Sequence, residues 1–201
     1  WIKAARNIAD KVNSLEGLRD EVENFDGLSI KKTATNCVFA EGNPQADIML
    51  IGEAPGANED MEGRPFCGVS GQLMDKMFSY AGYTRKENLY ITNTIFWRPP
   101  GNRKPTQEET DICKPLLERH ISFINPKAII LVGGTATSVV LNDKTSVSKL
   151  RKLEHKYFNG FLDRDIPTFA IYHPSFLLRQ PMQKKNSWFD ILKIKKFVES
   201  L

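Results

Sequence analysis

Residues 47–56 read DIMLIGEAPG: four apolar residues after Asp47, then an abrupt change to Gly52-Glu53-Ala54-Pro55-Gly56. A short, continuously apolar run bounded by turn residues suits a strand covered on both faces. Three further segments share the pattern: NLYITNTI at 88–95, AIILV at 128–132 and PTFAIY at 167–172. Helical patterns lie between them, over 70–80, 107–122 and 136–141, and a last one covers 186–200. Thr106 with Glu109 three residues on forms a capping box for the second of these, and Thr135 is placed to cap the third. Strands alternating with helices predict a three-layer α/β/α sandwich around a four-stranded parallel sheet. Ahead of it, Ile8, Val12, Leu15, Leu18 and Val22 recur at spacings of three and four, which predicts a helical segment over 1–25. Length fits one domain over 1–201.

In a parallel sheet of this kind, ligands sit at the carboxyl ends of the strands. The first strand is followed by Gly52–Gly56, and the second by Trp97-Arg98-Pro99-Pro100-Gly101-Asn102-Arg103, with Asn93 just inside it. Gly133-Gly134-Thr135 follows the third and His173-Pro174-Ser175-Phe176-Leu177-Leu178-Arg179 the fourth. Three of these loops join a rigid Pro to a polar residue, as a preorganised pocket wall requires. No GxGxxG or Walker motif is present, which speaks against a nucleotide-phosphate site.

Charge sharpens this picture. The chain has 28 Lys+Arg against 24 Asp+Glu, a formal +4. Arg98, Arg103 and Lys104 within 96–104 have no acid among them. Residues 176–196 hold six cations against Asp190 alone. Basic charge interleaved with apolar residues fits a nucleic-acid footprint and equally fits solvated loops and a solvated helix face. No apolar run approaches the roughly 18 residues of a membrane span. No stretch has the charged start, apolar centre and small-residue cleavage site of an export signal. Three cysteines at wide spacing give no disulfide framework. A cytoplasmic monomer without membrane contact is expected.

Taken in order, GEAPG with Glu59-Asp60, then GRPFCGVSGQLMDKMF, ITNTIFWRPPGNRKPT and HPSFLLR resemble the uracil-DNA glycosylase superfamily, and its family 4 branch in particular. The resemblance spans about residues 30–198. It implies hydrolysis of the N-glycosidic bond of uracil in DNA, giving free uracil and an abasic site and initiating base-excision repair. The partner it implies is uracil-containing DNA. A non-enzymatic binder of uracil-containing or abasic DNA is the alternative.

The residues suit that chemistry. The resemblance assigns Phe66 to stack on the flipped base and Asn93 to read its edge, with Gly52 and Ala54 completing the uracil-binding set. A fixed amide that accepts from N3–H and donates to O4 rejects cytosine, which presents the opposite pattern. Glu53 is the carried-over group that positions water, and His173 the donor to the leaving uracil, as in an oxyanion hole. Asn102 matches an Asn near the reacting sugar. Phe176, Leu177, Leu178 and Arg179 would form the wedge that fills the gap in the DNA, and Arg98, Arg103, Lys184 and Lys185 would contact phosphates. Glu59 and Asp60 are expected to order the pocket loop. No Lys aligns as a Schiff-base nucleophile, so strand cleavage is not expected.

The chain departs from family 4 at one feature. Members usually hold a [4Fe–4S] cluster on four cysteines. Here Trp97 stands before Arg98-Pro99-Pro100, residues 26–32 have no Cys, and Cys37 lies at no ligand position. Only Cys113 matches one. The expectation is therefore no cluster and no metal, with Trp97 and its neighbours filling the volume.

Overall fold

The computed structural model describes residues 1–201. Two helices open the chain, α1 (Ile2–Lys11) and α2 (Leu15–Asn24). The sequence pattern had them as one segment. The break falls at Val12, which turns extended, and Ser14 then caps α2 by accepting from the Gly17 N–H at 3.0 Å. Next come β1 (Glu41–Gly42), β2 (Ile48–Gly52), α3 (Ala57–Glu62), α4 (Val69–Tyr80) and β3 (Leu89–Asn93). Then follow α5 (Gln107–Ile124), β4 (Ala128–Val132), α6 (Gly134–Leu141), α7 (Val147–Leu150) and β5 (His155–Tyr157). The chain ends with β6 (Ile166–Ile171), α8 (Pro174–Arg179) and α9 (Lys184–Val198).

The sheet is mixed and six-stranded, in the order β1-β3-β2-β4-β6-β5. This corrects the expected count of four strands. The inner neighbours β3, β2, β4 and β6 run parallel, and β1 and β5 pair antiparallel at the two edges. Both edge strands are too short, at two and three residues, to show a hydrophobic period.

Alternation along the inner strands sorts the core into two layers. Ile48 and Leu50 of β2 face one way, with Leu89, Ile91, Ile130 and Phe169, against Met74 and Phe78 of α4 and Ile191 and Ile194 of α9. Met49 and Ile51 face the other way, with Ile129 and Leu131, against Leu117 and Ile121 of α5 and Ala136 and Val140 of α6. Helices thus cover both faces. A third cluster joins Ala5, Leu18 and Val22 of the opening helices to Ile95, Phe96, Trp97 and the α5 residues Ile112, Cys113 and Leu116.

The capping box of α5 is present: Thr106 accepts from the Glu109 N–H, and the Glu109 carboxylate accepts from the Thr106 N–H at 2.8 Å. Thr135 does not cap α6. That helix begins two residues earlier, at Gly134. Its cap is Gly133 with φ +92°, a conformation that favours glycine.

Candidate active site

The register of β2 and β3 sets Gly52 opposite Asn93, the last residues of their strands. A cavity of about 820 Å³ opens above them, lined by Glu53, Ala54, Phe66, Asn93, Asn102, Arg103, His173, Phe176 and Arg179 among others. The ends of all four inner strands contribute to it.

Gly52 is the floor. A Cβ there would overlap the Asn93 amide oxygen and approach the Phe66 ring to about 2.5 Å. The absent side chain is what lets ring and amide meet over the strand end. Asn93 is 2% exposed, and no side-chain hydrogen bond within the protein occupies its amide. Thr94 bridges the two strand ends: its N–H donates to Gly52 and its hydroxyl donates to the Glu53 carbonyl at 2.6 Å. Glu53 therefore starts from a fixed backbone, half-buried at the cavity wall.

Phe66 has φ +53°. The left-handed region is a true outlier for a bulky residue and costs roughly 1–2 kcal/mol. Its ring centroid lies 5.8 Å from that of His173, with the planes 30° apart. Glu59 holds the following backbone. One carboxylate oxygen accepts from the N–H groups of Cys67 and Gly68 at 3.0 and 2.9 Å, and the other from Gly56 at 3.1 Å. A single carboxylate thus stitches the loop after Glu53 to the loop after Phe66. Asp60 is buried and accepts from the backbone of Thr35 and Asn36.

His173 caps α8, whose first residue is Pro174. The Ser175 N–H donates to His173 Nδ1 at 3.1 Å, and the Ser175 hydroxyl lies 2.8 Å from the same nitrogen. Because Nδ1 accepts, the neutral ring must hold its proton on Nε2, the atom left for the cavity. Burial lowers the imidazole pKa below its ordinary value, outweighing the opposite pull of the Glu53 carboxylate. Gly133 makes room for this ring, since a Cβ there would sit 3.0 Å from that of His173.

The proposed DNA contacts divide. Asn102, at φ +55°, accepts on Oδ1 from Arg98 Nε at 2.6 Å, and Arg98 also lies 3.9 Å from Asp60. Arg103 forks onto Glu109 at 2.6 and 2.9 Å. Both guanidiniums are thus engaged within the protein. On α8, Phe176 and Arg179 line the cavity, and Leu178 is 41% exposed. Leu177 is 1% exposed. Facing inward on a single helical turn, it anchors α8 and is not available to a DNA strand. Lys184 and Lys185 are exposed at the start of α9, outside the cavity lining.

Sequence reasoning missed Ser175, although it lies inside the HPS triplet, and it missed Arg85, considered below. It also passed over 142–165, from which Val147 and Ser148 reach the cavity wall.

The residues around Trp97 do not fit a four-thiolate cluster. Trp97 is 1% exposed and packs edge-on to Phe96 at 6.1 Å. Cys113 is sealed in the same apolar group, Cys37 lies at its margin, and Cys67 belongs to the Phe66 turn. No three His, Cys, Asp or Glu side chains gather in a way that could hold a metal ion.

Residues 39–193 match the family model described as the uracil DNA glycosylase superfamily. The chain is 36% identical over 186 residues to a type-4 uracil-DNA glycosylase of Sulfurisphaera tokodaii, covering 92% of this chain and 84% of the relative. It is 36% identical over 188 residues to the type-4 enzyme of Thermotoga maritima, covering 92% and 95%. With that of Archaeoglobus fulgidus it shares 34% over 187 residues, covering 91% and 92%.

Proposed function

The chain belongs to the uracil-DNA glycosylase superfamily, and from that premise we propose that it is a monofunctional uracil-DNA glycosylase whose working groups are Phe66, Asn93, Glu53 and His173. One observation carries the assignment of roles. A flat ring, an unengaged amide, a carboxylate and an imidazole with its Nε2 proton free surround one cavity at the strand ends.

The base, flipped out of the stack, lies against Phe66 above Gly52. Asn93 accepts from N3–H and donates to O4. His173 donates from Nε2 to O2, where negative charge grows as the bond from C1′ to N1 breaks. Glu53 holds a water beneath the sugar, and its negative charge favours the cation-like C1′. The water oxygen bonds to C1′ and the electron pair of the broken bond leaves with uracil. The water proton passes to the carboxylate side. Asn102, its oxygen engaged by Arg98, offers its amide hydrogens beside the sugar. Leu178, Phe176 and Arg179 fill and flank the gap in the duplex. Arg98, Arg103, Lys184 and Lys185 supply positive potential toward the phosphates.

The reading extends to cofactors: the chain works without an iron–sulfur cluster. Its support is the donor set, three thiols where four are needed, with Trp97 packed where a ligand would be needed.

An oligonucleotide with one uracil, incubated with the protein and then treated with alkali, tests the function. A strand cut at the uracil, and only after alkali, is the expected result. An intact strand overturns it.

A further inference from the structure

Arg85 lies in the link between α4 and β3, outside every motif that marks the site. Its side chain is only 15% exposed, and two of its donors go to one turn. Nη1 donates to the Pro65 carbonyl at 2.6 Å, and Nη2 donates to the Phe66 carbonyl. Nε and Nη1 also bond Asp75 of α4 at 2.9 Å and Glu41 of β1 at 2.6 Å, which fix the guanidinium plane.

The turn so gripped is the one with a left-handed Phe66. Its two carbonyls, at 65 and 66, go to Arg85, and its next two N–H groups, at 67 and 68, go to Glu59. Gly71 closes the third side, because a Cβ there would collide with the Phe66 backbone. A strained conformation persists only where its surroundings over-determine it. A planar fork can reach two successive carbonyls at once, and an ammonium is a single point of donors.

We infer that Arg85 is a positioning residue for base recognition: by holding the carbonyls of Pro65 and Phe66 it sets the ring plane on which uracil stacks. The assignment deepens the glycosylase reading and rests on it. It predicts that Arg85 acts on uracil through Phe66 and hardly at all once that ring is gone.

The test is a double-mutant cycle read by inhibition with free uracil and by KM and kcat on a single-uracil oligonucleotide. Arg85→Lys should weaken inhibition by uracil roughly tenfold when Phe66 is present. It should change inhibition less than about twofold in a Phe66→Ala background, the signature of coupled residues. KM should rise more than kcat falls, since stacking binds the base before and during reaction alike. If Arg85→Lys does not fold, Asp75→Asn loosens the guanidinium plane while leaving the Arg64–Glu41 pair beside the turn intact, and the same coupling should appear in smaller size. Equal losses with and without the Phe66 ring overturn the assignment, as does no loss at all. Should the unaltered protein release no uracil, the glycosylase reading itself fails and takes this one with it.

Discussion

Gly52→Ala replaces one hydrogen with a methyl group at the cavity floor. The backbone there needs no left-handed φ, so the effect is one of space. The new Cβ would overlap the Asn93 oxygen and stand about 2.5 Å from the Phe66 ring, where ordinary contact begins near 3.4 Å. Ring and amide must therefore both retreat, by about 1 Å. A misplacement of ~1 Å in a group that positions substrate costs on the order of 10²-fold in rate, or about 2.7 kcal/mol of transition-state stabilisation. Overpacking costs the fold about 1–3 kcal/mol as well. Single-turnover release of uracil from a labelled oligonucleotide, with enzyme in excess, separates the chemical loss from a shift in active fraction. Urea unfolding of the same sample measures the stability loss. We expect a loss near a hundredfold in a protein that remains folded at the assay temperature. A folded variant within threefold of the parent rate would refute the account of Gly52 as the floor beneath the base.

His173→Gln should lower the single-turnover rate by about 10²–10³-fold, the usual cost of losing an oxyanion donor. The parent enzyme's kcat/KM should show no inflection at the ordinary imidazole value of about 6.5, because burial keeps His173 neutral to lower pH. An acid limb centred there, absent from the Gln variant, would contradict the lowering of the His173 pKa by burial. His120 is fully buried, 2.8 Å from the Tyr90 hydroxyl, with its pKa pushed down to about 3. As pH falls below about 6.5 the unfolded chain takes up a proton that the folded chain refuses. Stability should then drop by about 2 kcal/mol between pH 7 and pH 5, in urea unfolding. A His120→Phe variant should lose most of that slope, and an unchanged slope counts against the burial argument. Glu59→Gln places an N–H2 group among backbone N–H donors and should cost about 1–3 kcal/mol of stability, with a slower rate. A neutral substitution would show that the three amides do not depend on the carboxylate.

What could be read in the sequence follows from how each feature is held. The inner strands announce themselves because both faces are covered, so Ile48–Ile51 and Ala128–Val132 are apolar without interruption. Their ends then point to Glu53, Asn93 and His173, since ligands collect at the carboxyl ends of parallel strands. The edge strands β1 and β5 are held by backbone pairing and leave no period. The grip of Arg85 on the Phe66 turn is equally silent, because it binds peptide groups, which every residue has, whereas Glu59, just after the GEAPG motif, was legible as a residue that orders the pocket loop. Leu177 was misread for another reason. HPSFLLR looks like an exposed apolar tip until it coils into α8, and one turn of helix sends Leu177 inward while Leu178 stays out.

The two charged-or-neutral choices at the cavity depend on one another. Were His173 protonated beside Glu53, the pair would neutralise each other, and the carboxylate would do less for a cation-like sugar. Glu53 pulls the imidazole toward that state, but burial opposes it more strongly. The Ser175 N–H adds to burial, because it needs an acceptor at Nδ1 and a doubly protonated ring has none. On the proposed roles, a neutral donor at O2 and an undiminished negative charge at the sugar would share one origin, a buried ring and a helix start that begins with its own cap. The reaction would thus use the negative charge on one side of the bond and a fixed dipole on the other, with Arg179 at the cavity wall also favouring the neutral imidazole.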